Sequence, residues 1–188
     1  MKKQKKVFLM HGFEGMPNGA WRGWLMTELD KKDIYAFSLA MPKPEAPVCG
    51  EWVKEIARYV KSCANDEIYL VGHSLGSTAI LRYLESKYVC PNIKGIVLVS
   101  GTIQKTNNKK IEGFLKKDFD FKKIKSNVKK VVVIHGDNDQ WVPVINAEIT
   151  AKKLNGELIL VKNGGHLNGS SGWNTLPQCF DSLLKMMN

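Results

Sequence analysis

One group of residues in this chain is spaced for acyl transfer. Gly72-His73-Ser74-Leu75-Gly76 follows the apolar run Ile68–Val71 and precedes a helical pattern. This is G-x-S-x-G between a strand and a helix, a turn so tight that a side chain at either glycine would collide with the strand or helix beside it. A serine there takes a strained backbone conformation and holds its Oγ clear of the sheet, at the amino end of a helix whose dipole favours developing negative charge. A hydroxyl becomes a useful nucleophile only with a base, and the base works best with a group that orients it.

The chain has four histidines from which to draw the base. His11 and His135 end apolar runs and precede glycine, and His73 lies inside the turn itself. Each is expected to be structural, held by backbone groups at the sheet edge. His166 differs, because it closes Asn163-Gly164-Gly165-His166 just after the run Leu158–Val161. Flanking glycines let its imidazole reach over the sheet edge toward Ser74, and it is the expected base. The orienting acid is sought in Gly136-Asp137-Asn138-Asp139-Gln140-Trp141-Val142-Pro143, which follows Val131–His135. Asp139 lies further into the loop, within reach of a histidine delivered by the next strand. Asp137, beside the strand end, reads better as a turn cap through local backbone bonds. Position favours Asp139 and leaves Asp137 open. The first apolar run ends in His11-Gly12-Phe13-Glu14-Gly15, whose glycines free the backbone to turn inward. The N–H groups of Phe13 and Leu75 are therefore the expected donors to an oxyanion.

These pieces must be delivered by a scaffold, and its pattern is regular. Val7–Met10, Ile34–Phe37, Ile68–Val71, Ile96–Val99, Val131–His135 and Leu158–Val161 read as buried strands. Helical stretches alternate with them: Trp21–Lys31, Glu51–Ala64, Leu75–Lys87, Ile145–Leu154 and one near Leu176–Met187. The second carries Val53, Ile56, Ala57, Val60 and Ala64 on one face. Such alternation predicts an α/β fold with a mostly parallel sheet of about six strands, helices on both faces, and the strands' carboxyl ends on one edge. Residues 100–127 are too long for a plain connection and are expected to hold one or two short helices over that edge. Met41–Pro47, with three prolines, is a turn-rich link. No repeat or composition shift divides residues 1–188, so a single domain is expected.

Composition narrows the classes. At 188 residues, 44% hydrophobic and 24% charged, the chain is ordinary for a globular domain, which excludes disorder, a collagen-like chain and a disulfide scaffold. No apolar run approaches the ~20 residues of a membrane helix. The start is lysine-rich but leads into only Val7–Met10, too short for the apolar core of a signal peptide, so a cytoplasmic protein is expected. Cys49, Cys63, Cys90 and Cys179 form no C-x-x-C pair, which points to reduced thiols and away from metal ligation. The net charge of +10 is concentrated in the first six residues and in residues 105–130, where ten lysines face Glu112, Asp118 and Asp120. The latter segment contains no arginine, the residue suited to phosphate and base forks, so it reads as a solvated surface and nucleic acid is disfavoured as a partner.

The chain resembles an α/β-hydrolase, and more narrowly the compact serine hydrolases of the YdeN and retinoblastoma-binding protein nine type. The likeness is carried by His11-Gly12 with Trp21 and Trp24 behind it, Glu51-Trp52-Val53, Tyr69 to Gly76, Leu81-Arg82-Tyr83-Leu84, Leu98-Val99-Ser100-Gly101 and Gly164-Gly165-His166. The order Ser74, Asp139, His166 is that of the α/β-hydrolases. The resemblance places the family's triad on those three residues and implies a trimmed sheet without a large cap domain. The function expected is cleavage of a small ester, thioester or amide through an acyl-enzyme on Ser74, with a small-molecule acyl substrate and neither cofactor nor metal. A protein-interaction module on the same fold is the alternative. Trp21, Trp24, Ile103, Trp141, Leu167 and Trp173 flank the chemical segments and are candidate pocket walls.

Overall fold

Six apolar runs become six strands: β1 (Lys5–Met10), β2 (Tyr35–Leu39), β3 (Glu67–His73), β4 (Ile93–Val99), β5 (Lys130–Gly136) and β6 (Glu157–Val161). The computed structural model describes residues 3–63 and 65–188. Met1, Lys2 and Ala64, the last position of the apolar stripe noted above, lie outside the described residues. The strands pair in parallel in the order β2-β1-β3-β4-β5-β6. Chain order reverses between β1 and β3, where Met10 lies beside Gly72. A parallel sheet opens a crevice outside its carboxyl ends at such a reversal. The serine turn and the Gly12-Phe13 turn therefore meet at that edge.

Helices cover both faces. Val7, Leu9, Val71 and Val99 pack on one face with α1 (Arg22–Asp30) and α7 (Pro177–Met187), through Trp21, Leu25, Leu29, Leu183 and Met186. Phe8, Met10, Leu70 and Leu98 point the other way, toward α2 (Cys49–Lys61), α3 (Leu75–Leu84) and α6 (Ile145–Leu154). Burial on both faces is why β3 and β4 read as unbroken apolar runs. The helix expected from Glu51 begins two residues earlier, after an extended Val48 that supplies no side-chain cap and so leaves no local signal. Among the described residues no helix is long and apolar enough to cross a membrane.

Residues 100–127 carry a short 3₁₀ turn, Lys109–Ile111, then α4 (Glu112–Leu115) and α5 (Phe121–Ser126). Phe114, Leu115 and Ile124 anchor this segment in the core, while its eight lysines are exposed. Arg82 of α3 holds it in place. Buried Arg82 donates to the carbonyls of Phe114 (2.7 Å), Lys117 and Asp118 (3.3 Å), pairs with Glu85, and lies 3.7 Å over the Phe119 ring. Glu85 in turn accepts from the Asp120 N–H at 2.8 Å. Arg82→Met would leave buried carbonyls and Glu85 unsatisfied, and we expect a loss of about 3 kcal/mol. Thermal denaturation should show Tm lowered by roughly 6–12 °C for a chain this size. An unchanged Tm would contradict this account of the segment.

Candidate active site

Ser74 adopts φ 53°, ψ −120°, a conformation that L-residues seldom take. It is imposed by crowding. A Cβ on Gly72 would lie 2.5 Å from Ser77 N, and one on Gly76 would lie 2.4 Å from Met10 O. The turn is thus wedged against the end of β1, and the Ser74 N–H donates to Val99 O of β4 at 2.8 Å. The Ser77 hydroxyl closes the turn by donating to Gly72 O at 2.8 Å. Ser74 opens α3 with its Oγ on a cleft of about 810 Å³.

His166 reaches that cleft from the loop after β6, where Gly165 takes φ 54°. Its Nδ1–H donates to Asp139 Oδ2 at 2.7 Å. The Asp139 carboxylate is fully buried, and its Oδ1 accepts the N–H groups of Trp141 (2.9 Å) and Val142 (3.0 Å), which leaves Oδ2 aimed at the imidazole. Burial pushes the carboxyl pKa up, but the His166 bond and the two backbone donors outweigh it, and the net direction is down. The adjoining residues complete a clamp. Asp137 Oδ1 accepts from Asn163 N at 2.8 Å, and Asn138 Oδ1 accepts from Gly165 N at 2.8 Å. Three consecutive side chains of one loop therefore grip the loop that carries His166. Asp137 was expected to cap its own turn, but its bond crosses to the next loop. No hydrogen bond joins Ser74 Oγ to His166, the looser geometry common before substrate binds.

The other three histidines are bonded to backbone. His11 donates through Nδ1 to Gly12 O (2.8 Å) and accepts from Met41 N at Nε2 (3.1 Å). His73 Nε2 donates to His166 O at 3.0 Å and so helps hold the loop that carries His166. His135 Nε2 donates to Val142 O at 2.8 Å and lies 3.4 Å from Asp139 Oδ2. Burial lowers the pKa of all three, and with the neighbouring His166 it brings that of His73 down to about 3. Phe13 and Leu75 line the cleft, and the backbone N–H of neither bonds to another described residue.

Of the six candidate pocket walls, Trp141 lines the cleft, 58% exposed, with its ring 5.0 Å from that of His166. Trp21 and Leu167 are buried in the core, joined by a bond from Trp21 Nε1 to Leu167 O (2.8 Å). Trp24 packs on Phe180, Trp173 on the same core, and Ile103 on the opposite one. The walls are instead Met16, Ala20, Arg22, Ile111 and Gln140, with Thr106 to Asn108 of the lysine-rich segment. Arg22 and Asn138 escaped the sequence reading. Asn138 acts across 27 residues, and Arg22 is held by the turn five and six residues before it, where the one local hint is the glycine at position 19, whose Cβ would sit 3.0 Å from Arg22 Nη2. Among the described residues no three His, Cys, Asp or Glu side chains gather as metal ligands.

A three-layer parallel sheet with this serine turn at its switch point defines an α/β-hydrolase. The serine hydrolase family matches residues 7–185, and the chain belongs to that family; it is a hydrolase. It is 32% identical over 180 residues to YdeN of Bacillus subtilis, named as a hydrolase, covering 95% of this chain and 94% of YdeN. The crystal structure of the B. subtilis ydeN gene product superposes with a TM-score of 0.91, covering 98% of this chain and 99% of that one. Serine hydrolase RBBP9 of Rattus norvegicus is 22% identical over 153 residues, 80% of this chain and 79% of RBBP9. Est1E from Butyrivibrio proteoclasticus, 15% identical, shares the fold at a TM-score of 0.77 over 100% of this chain and 90% of that one.

The buried neutral histidines set a direction for acid stability. Unfolded imidazoles take protons near pH 6.5, whereas His11, His73 and His135 resist them in the fold. Stability should thus be intact above that pH and fall as pH drops through it, by up to about 1.4 kcal/mol per pH unit for each histidine. The lowered Asp139 adds a further loss below about pH 4. Melting curves between pH 7.5 and 5 test this, and a Tm that does not fall across that range would refute it.

Proposed function

We propose that this serine hydrolase cleaves a small ester, thioester or amide through an acyl-enzyme on Ser74, with His166 as base, Asp139 as its orienting acid, and the Phe13 and Leu75 N–H groups as oxyanion donors. The observation that carries the reading is the meeting of a strained Ser74 and an Asp139-bonded His166 on one cleft. Ser74 Oγ attacks the carbonyl carbon while its proton passes to His166 Nε2. The carbonyl electrons move onto oxygen, where the two unbonded N–H groups receive the charge. Collapse expels the leaving group, which takes the proton from His166. Water then attacks the acyl-enzyme by the same route and restores Ser74. Ionised Asp139 keeps the proton on Nδ1, so Nε2 stays free to accept. The one sheet that carries both cores supports reading residues 1–188 as a single domain, and four free thiols accord with a cytoplasmic setting.

A fluorophosphonate should label the protein stoichiometrically, and Ser74→Ala should abolish labelling, as mass spectrometry of the intact chain will read. Persistent labelling of the alanine variant would assign the nucleophile elsewhere. Asp139→Asn should lower kcat/KM for a p-nitrophenyl ester by ~10³–10⁴-fold. Asp137→Asn, which weakens one bond to the histidine loop, should cost about 1 kcal/mol of stability and far less activity. The reverse ranking of the two aspartate variants would overturn the assignment of the acid.

A further inference from the structure

The chain buries two arginines, and they are built differently. Arg82 has a carboxylate partner and three carbonyls. Arg22 is 4% exposed, yet among the described residues no carboxylate pairs with it. Its Nε donates to Pro17 O (3.1 Å) and its Nη2 to Met16 O (2.8 Å), and Pro17 O is itself held by the Ser38 hydroxyl at 2.6 Å. The head group is thus fixed in orientation, with no partner for Nη1 among the described residues, and the residue lines the same cleft as Ser74 and His166. Burial lowers its pKa to about 10, so it stays charged at neutral pH. A buried charge without a counter-ion costs several kcal/mol, and truncating or neutralising it would remove that cost.

We propose that Arg22 is the anion-recognition residue of this cleft and that the substrate is an ester or thioester bearing one carboxylate. The inference rests on the hydrolytic reading of Ser74. A guanidinium fork matches the two oxygens of a carboxylate, which would supply the counter-charge that the fold omits. Charge balance selects a single negative charge. Arg22 and Glu14 are the only fixed charges among the residues that line the cleft, and Glu14 is exposed and drawn to Lys110 at 3.8 Å. His11 and His73 behind the site are neutral. One interior positive charge satisfies a carboxylate and falls short of a phosphate dianion.

The test compares kcat/KM for the p-nitrophenyl half-ester of glutarate with that for p-nitrophenyl butyrate, in the wild type and in Arg22→Gln and Arg22→Lys. In the wild type the half-ester should be preferred by about 10–100-fold. Arg22→Gln should reduce that ratio at least about tenfold, mainly through KM, and Arg22→Lys should fall between, since it keeps the charge without the fork. The preference should survive about 1 M salt, where fields longer than about 3 Å are screened but buried pairs are not. A wild-type ratio near one, or a ratio that Arg22→Gln leaves unchanged, overturns the proposal. A preference erased by salt also overturns it, in favour of the exposed lysines. Should the variants fail to fold, glutarate must inhibit butyrate-ester turnover by the wild type more strongly than glutaramide, and equal inhibition overturns the proposal. Fluorophosphonate labelling and butyrate-ester turnover report on the hydrolytic reading alone. Their loss in the wild type would mean that reading has failed, whereas both present with no carboxylate preference would mean only the Arg22 proposal has.

Discussion

The site depends on a contact with no room to spare, that of the first turn of α3 against the end of β1. Gly76 lies so close to Met10 O and His11 O that any side chain there would collide with backbone. Gly12 repeats the condition from the other side, since a Cβ on it would be 2.9 Å from Ser74 Cβ. Because β1 and β3 are neighbours at the sheet's reversal, this one contact fixes the Ser74 conformation and the position of the Phe13 turn together. The strain at Ser74 is borne by sheet pairing and two apolar cores, which is why it persists.

The histidine side is made rigid by other means. Glycine-rich loops are flexible in isolation, and Asn163 to His166 would not hold an imidazole by itself. Asp137, Asn138 and Asp139 each bond a different residue of that loop, and His73 holds the His166 carbonyl. Ordering of the loop is therefore completed during folding, and substrate does not have to supply it. Two aspartates that competed in the sequence for one role turn out to hold successive parts of the same loop.

Much of this was legible because the decisive signals are local. G-x-S-x-G, the Gly-Gly-His loop and the six apolar runs each occupy a few consecutive residues, and all six strands formed where they were expected. Strand starts were missed where charged residues begin them, as at Lys5, Glu67, Lys130 and Glu157, because those ends face solvent and carry no apolar pattern. Trp141 does line the cleft, but Trp21 and Trp24 were misread as walls for a related reason. Trp21 and Trp24 are near the site in sequence, but the helix they introduce turns its apolar side to the sheet. Arg22 opens that helix, and no pattern in the sequence around it marks its burial. Its burial comes from the Met16-Pro17 backbone folding back over it, an arrangement that no local spacing encodes.

The lysine-rich segment has a consequence of another kind. It contributes Thr106 to Asn108 and Ile111 to the cleft wall, but it supplies none of the bonds that set Ser74, Asp139 or His166. It hangs instead from Arg82, near the far end of α3 from the serine turn, and from Phe114, Leu115 and Ile124 in the core. This part of the cleft wall is thus anchored separately from Ser74, Asp139 and His166. A change in this overlay's length or charge would reshape the wall and leave the bonds that hold Ser74, Asp139 and His166 in place.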